Sequence, residues 1–167
     1  MKLTIGLCAL LFSTMAQAGE IFGGVFVHDV KLPTDKSGLE GGLDLSVGFR
    51  GGRIGATPLQ PYVFGALNTA GETSYAAVGV SAKFGKRIYI RPGIGLAIHN
   101  GSADRFYRTD RIAFGSRVLF EPELGIGAAL NDRLSIEASW VHMSHATLFS
   151  HENPGIDNLG VRLNLKL

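Results

Sequence analysis

A histidine, a serine and an aspartate near the C-terminal end of the chain are of the types that ester hydrolysis or acyl transfer requires. His142 and Ser144 are two residues apart, and Asp157 follows after a short connection. A serine hydroxyl becomes an effective nucleophile when an imidazole removes its proton. A carboxylate can in turn hold the imidazole in the right tautomer and stabilise its charged form. The three residues are therefore candidates for nucleophilic chemistry if the fold brings them together.

Period-two alternation places these three residues in phase with the apolar face of two strands. From residue 134 to 144 that face carries His142 and Ser144 after Leu134, Ile136, Ala138 and Trp140. From residue 157 to 167 it carries Asp157, Leu159, Val161, Leu163, Leu165 and Leu167. Each run covers about 33 Å of strand, or about 23 Å along a membrane normal at a tilt of about 45°, close to the apolar band of a membrane barrel. On adjacent antiparallel strands, the three polar groups would reach the outer rim together.

A non-catalytic interpretation of the same residues remains open. Polar residues also occur simply where a barrel strand leaves the hydrocarbon region, and His-x-Ser is by itself a weak motif. Glu152, in the connection before Asp157, is a rival acid, although a loop glutamate is usually just solvated. Trp140, on the outward face below His142, is most simply interpreted as an interfacial anchor.

The N-terminus has the pattern of a secretory signal, which predicts export. Lys2 precedes the mostly apolar stretch 3–15, and Ala16-Gln17-Ala18 is typical of a cleavage site. We expect residues 1–18 to be the signal peptide and residues 19–167 to form one outer-membrane β-barrel domain. Cys8, the only cysteine, lies inside the signal, so no disulfide or cysteine-based metal site is expected in the mature chain.

Composition and motifs narrow the possible functions. The formal net charge is +2, without a basic stripe, which does not favour nucleic-acid binding. There is no phosphate-binding loop, dinucleotide fingerprint or Cys/His cluster, so no cofactor and no metal are implied. Beyond the signal, no apolar stretch is long enough for a membrane helix, so any membrane role must come from strands.

Eight alternating segments predict an all-β fold, an eight-stranded antiparallel transmembrane barrel. Their approximate bounds are 20–30, 41–50, 60–68, 74–84, 87–99, 111–130, 134–145 and 156–167. A soluble lipocalin-type barrel would be apolar inside, whereas an outer-membrane barrel is apolar outside and polar inside. The polar face favours the second architecture, because mixed charges alternate with glycines as in a narrow interior: Asp44, Arg50, Arg87, Arg91, Arg117, Glu121, Glu123, Glu137 and Arg162.

The sixth segment and the connections add two further expectations. Its outward face is predicted to include Ile112 and Phe114. With both termini on the periplasmic side, the first, fifth and seventh connections are long and external. The fourth and sixth are short turns, and only the second, 51–59, departs from this alternation.

The C-terminal part of the chain resembles the lipid A 3-O-deacylases of the PagL type. The similarity rests on His142-x-Ser144, the loop Asn153-Pro154-Gly155-Ile156-Asp157 and the final alternating strand, and it covers roughly residues 111–167. It implies an eight-stranded outer-membrane barrel that hydrolyses the 3-position ester of lipid A on its outer wall. Carried over, Ser144 is the nucleophile, His142 the base and Asp157 the acid, and Asn153 helps to bind the oxyanion.

The chain departs from this family pattern at three places. The family has Glu where this chain has Asp157, and an Asn where His145 follows Ser144. The chain also ends in Leu167 rather than an aromatic residue. His145 is instead in phase with the interior, where we expect it to be hydrogen-bonded.

Three functions from different classes follow. The first is an outer-membrane esterase that removes the 3-O-linked acyl chain from lipid A, with lipopolysaccharide in the outer leaflet as its partner. The alternative is a non-catalytic structural or surface-interaction barrel whose site has decayed. The third is an acyltransferase on the same scaffold. The sequence does not define the oligomeric state or the acyl-chain preference.

Overall fold

The chain forms a closed antiparallel barrel of eight strands, as predicted. The computed structural model describes residues 19–32, 38–104, 111–148 and 153–167, so the expected signal segment, 1–18, lies outside the described residues. The strands are β1 (Glu20–Val27), β2 (Leu43–Arg50), β3 (Leu59–Asn68), β4 (Tyr75–Ala82), β5 (Ile88–His99), β6 (Val118–Ala129), β7 (Leu134–Met143) and β8 (Ile156–Lys166). A two-residue segment, Phe84–Gly85, continues β4 beyond Lys83 and pairs with β5. Sequential strands pair with one another, and β8 pairs with β1 to close the sheet. Within the described ranges, no helix is long and apolar enough to span a membrane.

The two faces of the barrel have the polarity that the alternation predicts. Apolar side chains project outward and are well exposed, for example Val47 at 66% and Ile94 at 58%. The residues between them point inward and are buried, including three arginines with 0–1% of their surface exposed: Arg50, Arg91 and Arg162. A soluble barrel would show the reverse arrangement.

Ion pairs occupy part of the interior, beside an apolar cluster that includes Phe22, Phe64, Ile112 and Phe114. The ion pairs are Arg50–Glu20 at 2.5 Å, Arg50–Glu123 at 3.4 Å, Arg162–Glu123 at 2.5 Å, Arg91–Glu137 at 3.4 Å, and Arg91–Glu20. A buried charge is tolerated only when it is paired, so the mixed signs of the inward residues are a packing requirement. Space is limited as well: a Cβ at Gly125 would lie 2.4 Å from Cδ of Glu137.

The predicted side-chain positions are wrong for two residues expected in the interior and for two residues expected on the outward face. Arg87 and Arg117 lie at strand ends and are exposed, so they are not part of the interior. Ile112 and Phe114, each 1% exposed, are buried in the apolar cluster. The reason is that β6 begins only at Val118. Before it, Gly115 has a φ of +72°, which interrupts the extended backbone and the alternation of faces.

The polarity of the wall predicts a sharp difference between two neighbouring positions on β8. Leu163 is outward and 49% exposed, whereas Asn164 is inward and 1% exposed. Leu163→Arg should impair assembly, because arginine near the midplane of a barrel costs about 2–4 kcal/mol. Asn164→Ser should be milder, since it keeps a polar group in a polar interior. Folding into vesicles, followed by heat-modifiable migration on gels, measures both; equal yields would contradict the assigned faces.

Candidate functional site

His142 and Asp157 lie opposite each other on β7 and β8, near the outer end of the barrel. His142 Nδ1 and Asp157 Oδ1 are 3.0 Å apart. The imidazole is partly accessible, with 24% of the side chain exposed, whereas only 3% of the carboxylate is exposed. An ionised carboxylate can only accept, so His142 donates from Nδ1 and directs Nε2 away from Asp157. The pair therefore has the arrangement of a general base and its orienting acid.

Trp140 belongs to the same group of side chains. The sequence alone did not predict its contact with Asp157. Its Nε1 donates a hydrogen bond of 2.6 Å to Asp157 Oδ1, the oxygen that also accepts from His142. The indole stacks on the imidazole, with ring centroids 5.8 Å apart and an interplanar angle of 27°. The available signal was its position two residues before His142 on the same strand face, within diagonal reach of the opposite strand.

Ser144 lies just beyond the end of β7, on the same side of the chain as His142. Its backbone pairs with that of Phe120: Ser144 N donates over 3.1 Å, and Phe120 N donates to Ser144 O over 2.7 Å. Among the described residues, no hydrogen bond joins Ser144 to His142. Catalytic hydrogen bonds are often long before substrate binds, and a change of side-chain rotamer can bring two same-face neighbours together.

Asn153 contacts the chain segment that follows the serine. The backbone N–H of His145 donates to Asn153 Oδ1 over 3.1 Å, which fixes the amide with Nδ2 as its donor group. His145 is fully buried, as expected from its inward phase. Glu152, the rival acid, lies outside the described residues.

Behind the outer wall, a buried cluster supports this end of the barrel. His28 contacts the Asp44 carboxylate at 2.9 Å and Glu40 Oε2 at 3.2 Å. Glu40 also accepts from the backbone N–H groups of Thr73, over 3.1 Å, and Ile112, over 3.2 Å. One carboxylate thus connects the segments that follow β1, β3 and β5.

The same cluster reaches the strand that carries Asp157. Asn158 Nδ2 donates to Asp44 Oδ2 over 3.0 Å, and its Oδ1 accepts from Asp29 N over 2.9 Å. Asn158 faces inward, directly beside the outward-facing Asp157. The interior contacts therefore fix the backbone that presents the carboxylate.

The charges of this cluster predict a pH-dependent stability. Burial lowers the pKa of His28, but hydrogen bonds and charges from Asp44 and Glu40 outweigh it and raise the pKa from 6.5 to about 9. Burial raises the pKa of Glu40, yet the hydrogen bonds from His28 and Thr73 leave it below 4.5. The His28 contribution is complete below pH 6.5 and is lost as the pH rises through about 9; the Glu40 contribution is lost as the pH falls below 4.5.

We expect the barrel to become easier to unfold as the pH rises from 6.5 to above 9. The raised pKa of His28 corresponds to a loss of about 3 kcal/mol at most in the free energy of unfolding. The temperature at which the compact gel band converts to the unfolded band should fall over this range. His28→Gln should show a lower temperature at pH 6.5 and a weaker dependence on pH. An unchanged dependence in the variant would assign the effect to other groups.

No metal-binding group accompanies the site in the parts of the chain that the structure describes. No set of three or more His, Cys, Asp or Glu side chains there could hold an ion. The functional groups present are an imidazole, two carboxylate oxygens, a hydroxyl, an indole N–H and an amide.

Comparison with known proteins gives both a family and a fold. The family model described as lipid A 3-O-deacylase (PagL) matches residues 36–166. This match extends well to the N-terminal side of residues 111–167, on which the sequence resemblance rests. No individual curated protein matches the chain significantly.

Three solved structures share the fold at low sequence identity. The crystal structure of the outer membrane enzyme PagL is 18% identical and has a TM-score of 0.60, covering 89% of this chain and 99% of its own. Neisserial surface protein A is 16% identical with a TM-score of 0.54, and the alignment covers 90% of this chain and 97% of that one. The Yersinia pestis outer membrane protein Ail is 10% identical with a TM-score of 0.52, covering 90% and 99%.

Proposed function

Since the chain belongs to the lipid A 3-O-deacylase (PagL) family and is an outer-membrane barrel, we propose that it hydrolyses the 3-O-linked acyl ester of lipid A with Ser144, His142 and Asp157. The observation that carries the proposal is the contact of 3.0 Å between His142 Nδ1 and Asp157 Oδ1 on the outward face. Polar groups on a lipid-facing wall are costly and call for a functional reason. The shorter acid of this chain, Asp in place of the family's Glu, still reaches the imidazole.

In the proposed reaction, His142 Nε2 removes the hydroxyl proton of Ser144 while Oγ attacks the ester carbonyl carbon. Asp157 keeps the Nδ1–H tautomer and stabilises the imidazolium that forms. The tetrahedral intermediate collapses as the imidazolium gives its proton to the 3-oxygen of the sugar, and the C–O bond breaks. Water, activated by the same imidazole, then cleaves the acyl-serine and releases the fatty acid.

The developing oxyanion needs donors, and Asn153 is the proposed one. Its Oδ1 is occupied by His145 N–H, so Nδ2 is the group available for an oxyanion. A donor of this kind typically contributes about 10²–10³ in rate.

The outward location also matches the substrate. The fatty acyl chains of lipid A lie in the outer leaflet, parallel to the apolar wall, and the ester lies at their upper end. Ser144 follows the last residue of β7, on the rim side of the exposed Ile136 and Ala138. This position agrees with the height of the ester in the outer leaflet. The barrel can thus act on its substrate without removing it from the membrane.

Mass spectrometry of lipid A from cells with and without the gene tests the proposal. We expect the gene to remove one hydroxyacyl group, and Ser144→Ala to restore the heavier lipid A. A gain in mass would instead indicate an acyltransferase. An unchanged spectrum with the barrel present in the outer membrane would leave the non-catalytic interpretation.

A further inference from the structure

Trp140, whose position predicts an interfacial anchor, contacts both Asp157 and His142. We propose that it is a positioning residue, whose indole N–H holds Asp157 in the orientation that His142 requires. This inference rests on the proposed function for its catalytic consequence. The contacts themselves do not depend on it: one carboxylate oxygen accepts from Trp140 at 2.6 Å and from His142 at 3.0 Å.

The strand register explains why the indole reaches the carboxylate. Trp140 is opposite Leu159, and His142 is opposite Asp157. The indole must therefore extend diagonally by two residues, along its own strand toward the outer rim. This direction lays the ring against the imidazole, at 5.8 Å between centroids. Diagonal neighbours across a strand pair are within reach of an aromatic side chain.

The hydrogen bond satisfies two groups that would otherwise be costly at this position. Asp157 is only 2% exposed although it belongs to the outward face, so its charge lacks full solvation. An indole N–H on a lipid-facing wall likewise needs an acceptor. A charge-assisted hydrogen bond from a rigid ring supplies both needs. Because the indole N–H fixes the position of Asp157 Oδ1, it also fixes the direction from which His142 Nδ1 can donate to that oxygen.

The consequence for catalysis is a fixed orientation of the His142 imidazole. With Oδ1 held by the indole and one imidazole face covered by it, the His142 ring has little freedom to rotate about its side-chain bonds. Its Nε2 then points away from Asp157, and Ser144 is the next residue in phase with His142 along the chain. Positioning of this kind improves the chemical step rather than ground-state binding.

Trp140→Phe separates this role from anchoring. Phenylalanine keeps an aromatic ring on the wall and against His142 but removes the donor. We expect kcat to fall about 10- to 100-fold, the range that corresponds to a hydrogen bond to a charged group, with KM little changed. Trp140→Leu removes the stacking as well and should lose more. Leu163→Ala, an outward change on β8 remote from Asp157, is the matched control and should keep wild-type kcat.

A second readout requires no activity. Trp140 is the only tryptophan of the chain, so intrinsic fluorescence reports on this ring alone. In folded Ser144→Ala barrels, adding Asp157→Ala should shift the indole emission, because the indole N–H then loses its charged acceptor. Adding Leu163→Ala instead should leave the emission unchanged.

The outcomes distinguish this inference from the proposed function. Unchanged kcat in Trp140→Phe, with lipid A hydrolysis intact in the wild type, overturns the positioning role only. An indole emission that does not change when Asp157→Ala is added also overturns it, because the indole then does not hold the carboxylate. An Asp157-dependent emission without any lipid A hydrolysis would retain the contact and refute the esterase.

Discussion

Ser144→Ala is expected to abolish lipid A deacylation while the barrel still assembles. Loss of the nucleophile of a serine hydrolase lowers kcat by about 10⁶, and loss of the histidine base has an effect of the same size. His142→Ala should therefore be equally inactive. Both side chains are in phase with the outward face, although only 9% of Ser144 is exposed, and the backbone pairing between Ser144 and Phe120 is available to alanine as well. Release of fatty acid from purified lipid A in detergent, alongside heat-modifiable migration, measures activity and assembly.

The matched control is a serine on the inner face of the same strand. Ser139 is 4% exposed and donates to Glu137 Oε1 over 3.1 Å inside the barrel. Ser139→Ala should keep full hydrolysis, because it removes a hydroxyl of the same type from the side that lipid does not reach. If Ser144→Ala retained hydrolysis at the level of Ser139→Ala, the proposed nucleophile would be wrong.

The second large effect is expected for Asp157→Asn. The amide can turn its NH₂ toward His142 Nδ1 and so favour the tautomer that carries the proton on Nε2, which cannot accept the serine proton. In serine proteases this change costs about 10⁴ in kcat. We expect a loss of that order, smaller than for Ser144→Ala, since the carboxylate orients the base and does not react. The rate of fatty acid release across pH is the measurement.

Glu152→Gln provides the comparison for this acid. It neutralises the rival carboxylate in the connection between β7 and β8 and should leave the rate close to wild type. Inactivation by Glu152→Gln together with tolerance of Asp157→Asn would require the acid to be reassigned.

Much of the outer wall could be predicted because membrane barrels impose one simple rule on every strand. Alternation placed Leu163 outward and Arg162 inward without any knowledge of neighbours. Counting from the strand ends also predicted that His142 and Asp157 reach the same height, and the register pairs them directly.

The contacts that could not be predicted join residues that are far apart in the sequence. Glu40 binds the backbone of Thr73 and of Ile112, which lie 33 and 72 residues further along the chain. No local pattern encodes such separations. The error at Ile112 and Phe114 has a local cause, because alternation cannot be followed through Gly115 with its positive φ. The hydrogen bond from Trp140 to Asp157 was missed because the sequence does not show which acceptor an indole N–H will reach.

Because His142 and Asp157 come from different strands, their contact exists only when β7 and β8 pair in the observed register. A slip by one residue would turn the carboxylate to the opposite face, away from the imidazole. Before membrane assembly, an exported chain would therefore lack the proposed catalytic pair and be inactive in the periplasm. Under the proposed mechanism, folding itself acts as the activating step, and no separate inhibitor is needed to protect esters along the route of export.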